Sequence, residues 1–342
     1  MSAGGERRVA EGPWFEELEQ GQVFDRAPAV TLTEGLAAVH QAVVGGRLRL
    51  ALDHDLSRRV TGEAQPLAPP ALVWDVAIGS STTVTHHVVA NLFYRGLVMR
   101  RAPALGDTLR TRTEVVALRQ NSVRPGRRPT GLAALRITTV DQQQRLVLDF
   151  WRCAMLPLRA PDVDTGHADD LDQVGSDAVE PGVSGTGAGP TAGWQLDAFR
   201  DAVPLDGQVE VRTGDAWEVA GGDVVSSAPE LARLTTNVAR THHDDAAGPD
   251  GRLVYGGHTI GIALTQVLRA LPDLVTVVGW RSCEHLGPVH EGDTLTSTVE
   301  VEDVSPLPDG RLVQLRSRVA GRSQPGATEH PVLDWRFAAV LA

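Results

Sequence analysis

GDTLRTRTEVVAL, residues 106 to 118, returns as GDTLTSTVEVEDV at residues 292 to 304, and VLDFWRCAML at 147 to 156 returns as VLDWRFAAVL at 332 to 341. The intervals are 186 and 185 residues. One motif can recur by accident, but two unrelated landmarks at the same spacing indicate a duplicated domain. The segment between the copies, residues 160–192, contains DDLDQVGSDAVEPGVSGTGAGPTAG and is too rich in Gly, Pro, Asp and Ser to build a core, so it reads as a linker. The expected organisation is an N-terminal repeat over 1–159, this linker, and a C-terminal repeat over 193–342. His167, inside the linker, is expected to be a solvated side chain.

Working outward from the repeated motif, TLRTRTEVVAL, GLAALRITTV and RLVLDFWRCAML alternate or run apolar with many β-branched residues, the pattern of strands, and DQQQ turns the chain between the last two. Helical patterns precede them. Thr33 caps a helix through Leu36, Val39, His40 and Val43. APPALVWDVAIGS starts a second helix at Pro69 and Pro70, with Leu72, Val73 and Val76 at helical spacing. In the second copy, GGHTIGIALTQVLRAL sets Ile260, Leu264, Val267, Leu268 and Leu271 on one stripe. A long helix with one apolar face followed by long antiparallel strands predicts an α+β unit in which the sheet wraps the helix. Two such units side by side can join their edge strands into one larger sheet.

Composition narrows the partners. The chain has 342 residues, 42% of them hydrophobic, and carries a net charge of -11 although its 32 basic residues are all Arg. That balance leaves no phosphate-neutralising surface for nucleic acid. Arg124, Arg127 and Arg128 form the one basic cluster, and Pro125, Gly126 and Pro129 break it up as a loop between strands. Two distant cysteines, Cys153 and Cys283, fit reduced thiols on strands in a cytoplasmic protein. The N-terminus has no leader-type apolar region, and no run of eighteen apolar residues follows, so no membrane association is expected.

The order WFEELEQGQVF, TEG, ANLFYRG, LGDTL, TEVVALRQNS, LTTNVARTHHDD (234–245), GRLVYGGHTIGIAL, HEGDTL and VLDWRF resembles the MaoC-like double hotdog proteins, and within them it is most similar to the mesaconyl-CoA hydratases, also called beta-methylmalyl-CoA dehydratases. The similarity spans nearly the whole chain and weakens at 47–68 and in the linker. It implies a tandem hotdog fold, an acyl-CoA ligand, reversible addition of water to a 2-enoyl thioester, and neither a metal nor a cofactor beyond the coenzyme A of the substrate. A homodimer is one assembly the resemblance allows.

Hydration places negative charge on the thioester oxygen while water attacks the β-carbon, so a site needs an anion-stabilising donor and a base. Gly256 and Gly257 expose backbone N–H groups at the positive end of the central helix, and Gly257 is the expected oxyanion donor. His242 is the expected base, in the place where the superfamily keeps its catalytic His. Asn237 stands where that superfamily usually has Asp; an amide can hold a water through its oxygen but cannot take its proton. Tyr255 and His258 are candidates to face the acyl group. Arg240 and Arg252, with Arg47, are candidates for a substrate carboxylate or the CoA phosphates. The adjacent His242, His243, Asp244 and Asp245 point in different directions and do not make a metal site. The first copy passes through GGRLRLALD, with Gly46 and Ala51 at the dyad positions, and is expected to serve as pocket wall; His86 and His87 are expected to be structural. Two further readings share the fold: a non-catalytic acyl-CoA binding or assembly module, and a thioesterase.

Overall fold

The computed structural model describes residues 8–175, 189–203, 210–248 and 251–342. In chain order the first half gives β1 (Val23–Phe24), β2 (Val30–Thr31), α1 (Glu34–Val44), α2 (Arg49–Leu52), α3 (His54–Thr61), α4 (Pro70–Ser80), β3 (Ala90–Met99), β4 (Thr108–Gln120), β5 (Thr130–Val140) and β6 (Leu146–Pro157). The second gives α5 (Leu196–Ala202), β7 (Ala216–Glu218), β8 (Asp223–Val224), α6 (Ala228–Leu234), α7 (Gly256–Ala270), β9 (Leu274–His285), β10 (Thr294–Leu307), β11 (Gly310–Arg322) and β12 (His330–Leu341). No helix among the described residues is long and apolar enough to cross a membrane.

Twelve strands form one sheet. Its order is β1-β4-β5-β6-β3-β9-β12-β11-β10-β7, with β2 beside β4 and β8 beside β10. The halves meet where β3 pairs antiparallel with β9, which leaves neither of these strands an open edge. Tyr94 faces Cys283 there and Leu97 faces Trp280, and each of these pairs becomes the other when 186 is added or subtracted. The repeat interval is thus a local two-fold axis. Strand β4 turns Leu109, Thr111, Thr113 and Val115 inward and β10 turns Leu295, Ser297, Val299 and Val301 inward, four positions related by the same interval.

The central helices differ in kind. Helix α7 packs on β10, β11 and β12, while α4 is buried on every side and carries no polar face. Asp75, in the middle of α4, is fully buried and accepts a hydrogen bond from His40 Nε2 at 2.9 Å. Burial raises its pKa while the His40 contact opposes the rise. Trp74 of α4 meets Trp280 and Trp335 edge-on, with centroids 5.0 and 6.2 Å apart, and Phe337 stacks on Trp335 at 3.8 Å. Edge-to-face pairs contribute about 0.5–1.5 kcal/mol each beyond the area they bury, so this cluster fastens the helix of one half to the strands of the other.

Three expectations change. Thr33 does cap α1, its side chain accepting from Leu36 N, but Val39 is 47% exposed: the helix packs through His40 and Val44 instead. Residues 161–175 are not a free linker. Arg95 Nη1 donates to the carbonyls of Leu171, Asp172 and Val174, and Leu171 is buried against Ala117, Leu132, Ala134 and Cys153. Composition undervalued this stretch because backbone carbonyls, not side chains, supply most of its attachment; residues 176–188 lie outside the described residues. His167, in the same stretch, sits 5.9 Å edge-on from Phe15 and is partly buried. Finally, α4 and α7 begin at Pro70 and Gly256, so the 186-residue interval sets Ala51 and Leu56, not Gly46 and Ala51, opposite Asn237 and His242.

Candidate active site

The loop after α6 carries the candidate dyad, and the first half shapes it. A Cβ on Gly79 would lie 2.0 Å from Thr235 O, so only glycine lets α4 approach this backbone. Thr236 is left-handed at φ 58°, an unfavourable conformation for a β-branched residue. Asn237 N then donates to Ala232 O, Val238 N to Thr82 Oγ1 and Arg240 N to His86 O. His242 closes a single 3-10 turn, and His243 Nε2 bonds the Asn237 carbonyl at 2.7 Å.

These anchors aim side chains into a cavity of about 340 Å³. Asn237, His242, Tyr255, Gly256 and His285 come from the second half; Asn91, Tyr94 and Arg152 come from the first. His242 Nδ1 lies 3.0 Å from the Leu253 carbonyl, which can only accept, so this nitrogen carries the proton and Nε2 of the neutral ring presents a lone pair. Burial lowers the His242 pKa to about 4, which keeps the ring neutral at pH 7. Asn237 is 3% exposed, and its Oδ1 accepts from Ala239 N at 2.9 Å. That bond fixes the amide orientation and leaves Nδ2 buried without a partner. Nδ2 is thus the unpartnered donor of this side chain, while Oδ1, the atom expected from the sequence to hold a water, already accepts one backbone N–H.

Gly256 starts α7 at the cavity wall, where a Cβ would come within 2.6 Å of His285 Nε2. Gly257 is not part of the cavity lining, and a Cβ there would meet Asp75 Oδ1 at 2.1 Å. Both N–H groups fall in the first helical turn, which has no intrahelical acceptors. Tyr255 lines the cavity with its hydroxyl donating to Asp75 O at 3.1 Å. His258 is fully buried beneath it, its pKa pushed to about 4 by burial. Arg252 sits outside, paired with Asp245 and Glu291. Arg240 bonds Asp244 and faces a second cavity of about 410 Å³, with Arg128 on the same wall. The two cavities share Val88, Val89, Thr241, Leu253 and Pro288 and so adjoin. The His86 carbonyl accepts from Arg240 N, and His87, on the wall of the second cavity, stacks on Trp14 at 4.0 Å.

Comparison with known proteins follows this geometry. A conserved hypothetical protein of Mycobacterium tuberculosis with a double hotdog fold is 53% identical, with 97% of this chain and 99% of that one covered and a TM-score of 0.90. The chain belongs to the same double hotdog family as that protein. Beta-methylmalyl-CoA dehydratase of Chloroflexus aurantiacus is 28% identical over 94% of this chain and 92% of its own length. Mesaconyl-CoA hydratase of Cereibacter sphaeroides is 27% identical over 90% and 88%. No protein-family model matches the chain.

In this double hotdog, sequence reasoning overlooked four cavity residues. Asn91 Oδ1, Arg152 Nε and His285 Nε2 are buried polar atoms without partners, as is Asn237 Nδ2, and Tyr94 joins them on the wall. Burial brings the His285 pKa to about 4, with nearby His242 adding to the effect. Buried polar atoms are almost always satisfied within a folded chain, and several orphans converging on one cavity mark a place where a ligand completes them. The sequence did hold a sign. Arg152 in VLDFWRCAML occupies the place of Phe337 in VLDWRFAAVL, a charge where the twin strand has an aromatic.

Proposed function

We propose that the cavity adds water to, and removes it from, a 2-enoyl-CoA/3-hydroxyacyl-CoA pair. The observation that carries this reading is the meeting of a bare His242 Nε2, an unpartnered Asn237 Nδ2 and the leading N–H groups of α7 in one cavity. The thioester oxygen accepts from the start of α7, at Gly256, where the helix dipole stabilises the developing enolate. A water donates to His242 Nε2 and accepts from Asn237 Nδ2. His242 takes its proton as the oxygen bonds the β-carbon; the imidazolium then returns that proton to the α-carbon, restoring the thioester. The chemistry asks for no resident cofactor, since coenzyme A arrives with the substrate. The adjoining cavity, with Arg128 and Arg240 at its wall, suits the rest of that carrier. The names of the two enzymes similar to this chain support a CoA-ester hydro-lyase of short, carboxylated acyl groups.

The test incubates a panel of enoyl-CoA esters, including mesaconyl-CoA, with the wild type and His242→Ala. Mass gain of one water, with loss of the conjugated-thioester absorbance, is expected for the wild type only. Release of free thiol would point to a thioesterase, and binding without any spectral change to a non-catalytic module.

A further inference from the structure

Arg152 is the one polar group of the cavity whose charge the fold leaves unanswered. It is 3% exposed, and among the described residues it forms no ion pair. Nη2 donates to the Ser81 carbonyl at 3.2 Å and to Thr85 Oγ1 at 2.7 Å, both neutral oxygens, and Nε is buried without a partner. A guanidinium stays charged in proteins and is expensive to bury alone. Nor does the architecture need it. The twin strand fills the corresponding place with Phe337, which is fully buried and stacked on Trp335. Across the sheet Arg152 stands opposite Tyr94, which also lines the cavity. The Arg candidates read from the sequence do not compete: Arg252 is held by two carboxylates, Arg240 by one, and Arg47 lies beside a different cavity.

We infer that Arg152 is the specificity-determining residue of this site and that it grips a carboxylate carried on the β-carbon of the acyl group. The inference rests on the hydro-lyase reading for its substrate frame. A carboxylate on the β-carbon lies one bond from the carbon that water attacks, so the cation that recognises it must share the cavity with His242, as Arg152 does. Ser81 and Thr85 hold Nη2 in place beforehand, leaving Nε–H and the Nη1 N–H groups to donate single charge-assisted bonds to a carboxylate.

Succinyl-CoA and butyryl-CoA share a chain length and differ by carboxylate against methyl at the decisive place, and neither can be hydrated. Direct calorimetric binding of both to the wild type is expected to favour succinyl-CoA by roughly 30- to 100-fold, the range of a charge-assisted pair. Arg152→Leu is expected to abolish that preference, and Arg152→Lys to keep part of it. A wild-type ratio near one, or a ratio unchanged in Arg152→Leu, overturns the inference. Should the Leu variant fail to fold, the wild-type ratio and the Lys variant decide by the same criteria. Turnover of mesaconyl-CoA and crotonyl-CoA is followed in parallel. A binding preference with no hydration sinks the hydro-lyase reading alone, and hydration of both esters at equal kcat/KM sinks the role of Arg152 alone.

Discussion

The two halves present the same scaffold with opposite chemistry. Each central helix begins beside a cavity, about 340 Å³ at α7 and about 310 Å³ at α4. At the first stand Gly256, Asn237, His242, Asn91, Arg152 and His285. The repeat register puts Pro70, Ala51, Leu56, Val277, Phe337 and Met99 in their places. Each of these six has an apolar twin in the other half. Proline at the helix start removes the N–H that could meet an oxyanion, and Leu56 is turned into a separate core with Val60, Val275 and Val278. The fold accommodates apolar residues at all six positions, so packing alone does not call for the polar set.

The largest effect expected from breaking this contrast is the loss of the base. His242→Ala should lower kcat/KM for the preferred enoyl-CoA by about 10³-fold, near 4 kcal/mol of transition-state stabilisation, measured by decay of the conjugated-thioester absorbance. Copying the first half at the helix start comes next. Gly256→Pro in a His285→Ala background, where the ring that a Cβ would strike is gone, should reduce kcat by about 10²-fold relative to His285→Ala alone. An unchanged kcat would move the oxyanion donor away from Gly256.

Acid should act on the second half. His242, His258 and His285 titrate near 4 when folded and near 6.5 when unfolded, so between these values the unfolded chain binds more protons. Stability is then complete above about pH 6.5 and falls as pH drops toward 4, so thermal melts at pH 5 should lie several degrees below those at pH 7.5. The acid limb of kcat/KM, recorded on short exposure, should fall near pH 4 and not near 6.5. The smallest effect sharpens the comparison from the other side. Installing Ala51→Asn and Leu56→His in the His242→Ala enzyme should restore no turnover, because Pro70 offers no N–H and position 56 does not face the first cavity.

Much of this was legible beforehand because periodicity and repetition are written locally. The two helices that start at Pro70 and Gly256, the long strands and their 186-residue interval all follow from spacing in the chain. The dyad loop was legible too, as a motif. What spacing could not convey is which side of a residue is already used. Asn237 reads as a water-holding oxygen until Ala239 N is seen donating to that oxygen and Nδ2 is found without a partner, and Gly257 reads as well as Gly256 until Gly256 alone of the two is found on the cavity wall. Asn91, Tyr94, Arg152 and His285 were missed for the same reason: strands far apart in sequence bring them together, and a lone polar residue in an apolar strand has no spacing to announce it.

The loop bearing Asn237 and His242 hangs on Gly79, Thr82 and the His86 carbonyl of the other copy. The twin copies therefore serve the loop unequally. The N-terminal one carries alanine and leucine at 51 and 56, yet it holds a glycine at 79 and a hydroxyl at 82 on its neighbour's behalf. Neither copy, expressed by itself, would assemble this cavity.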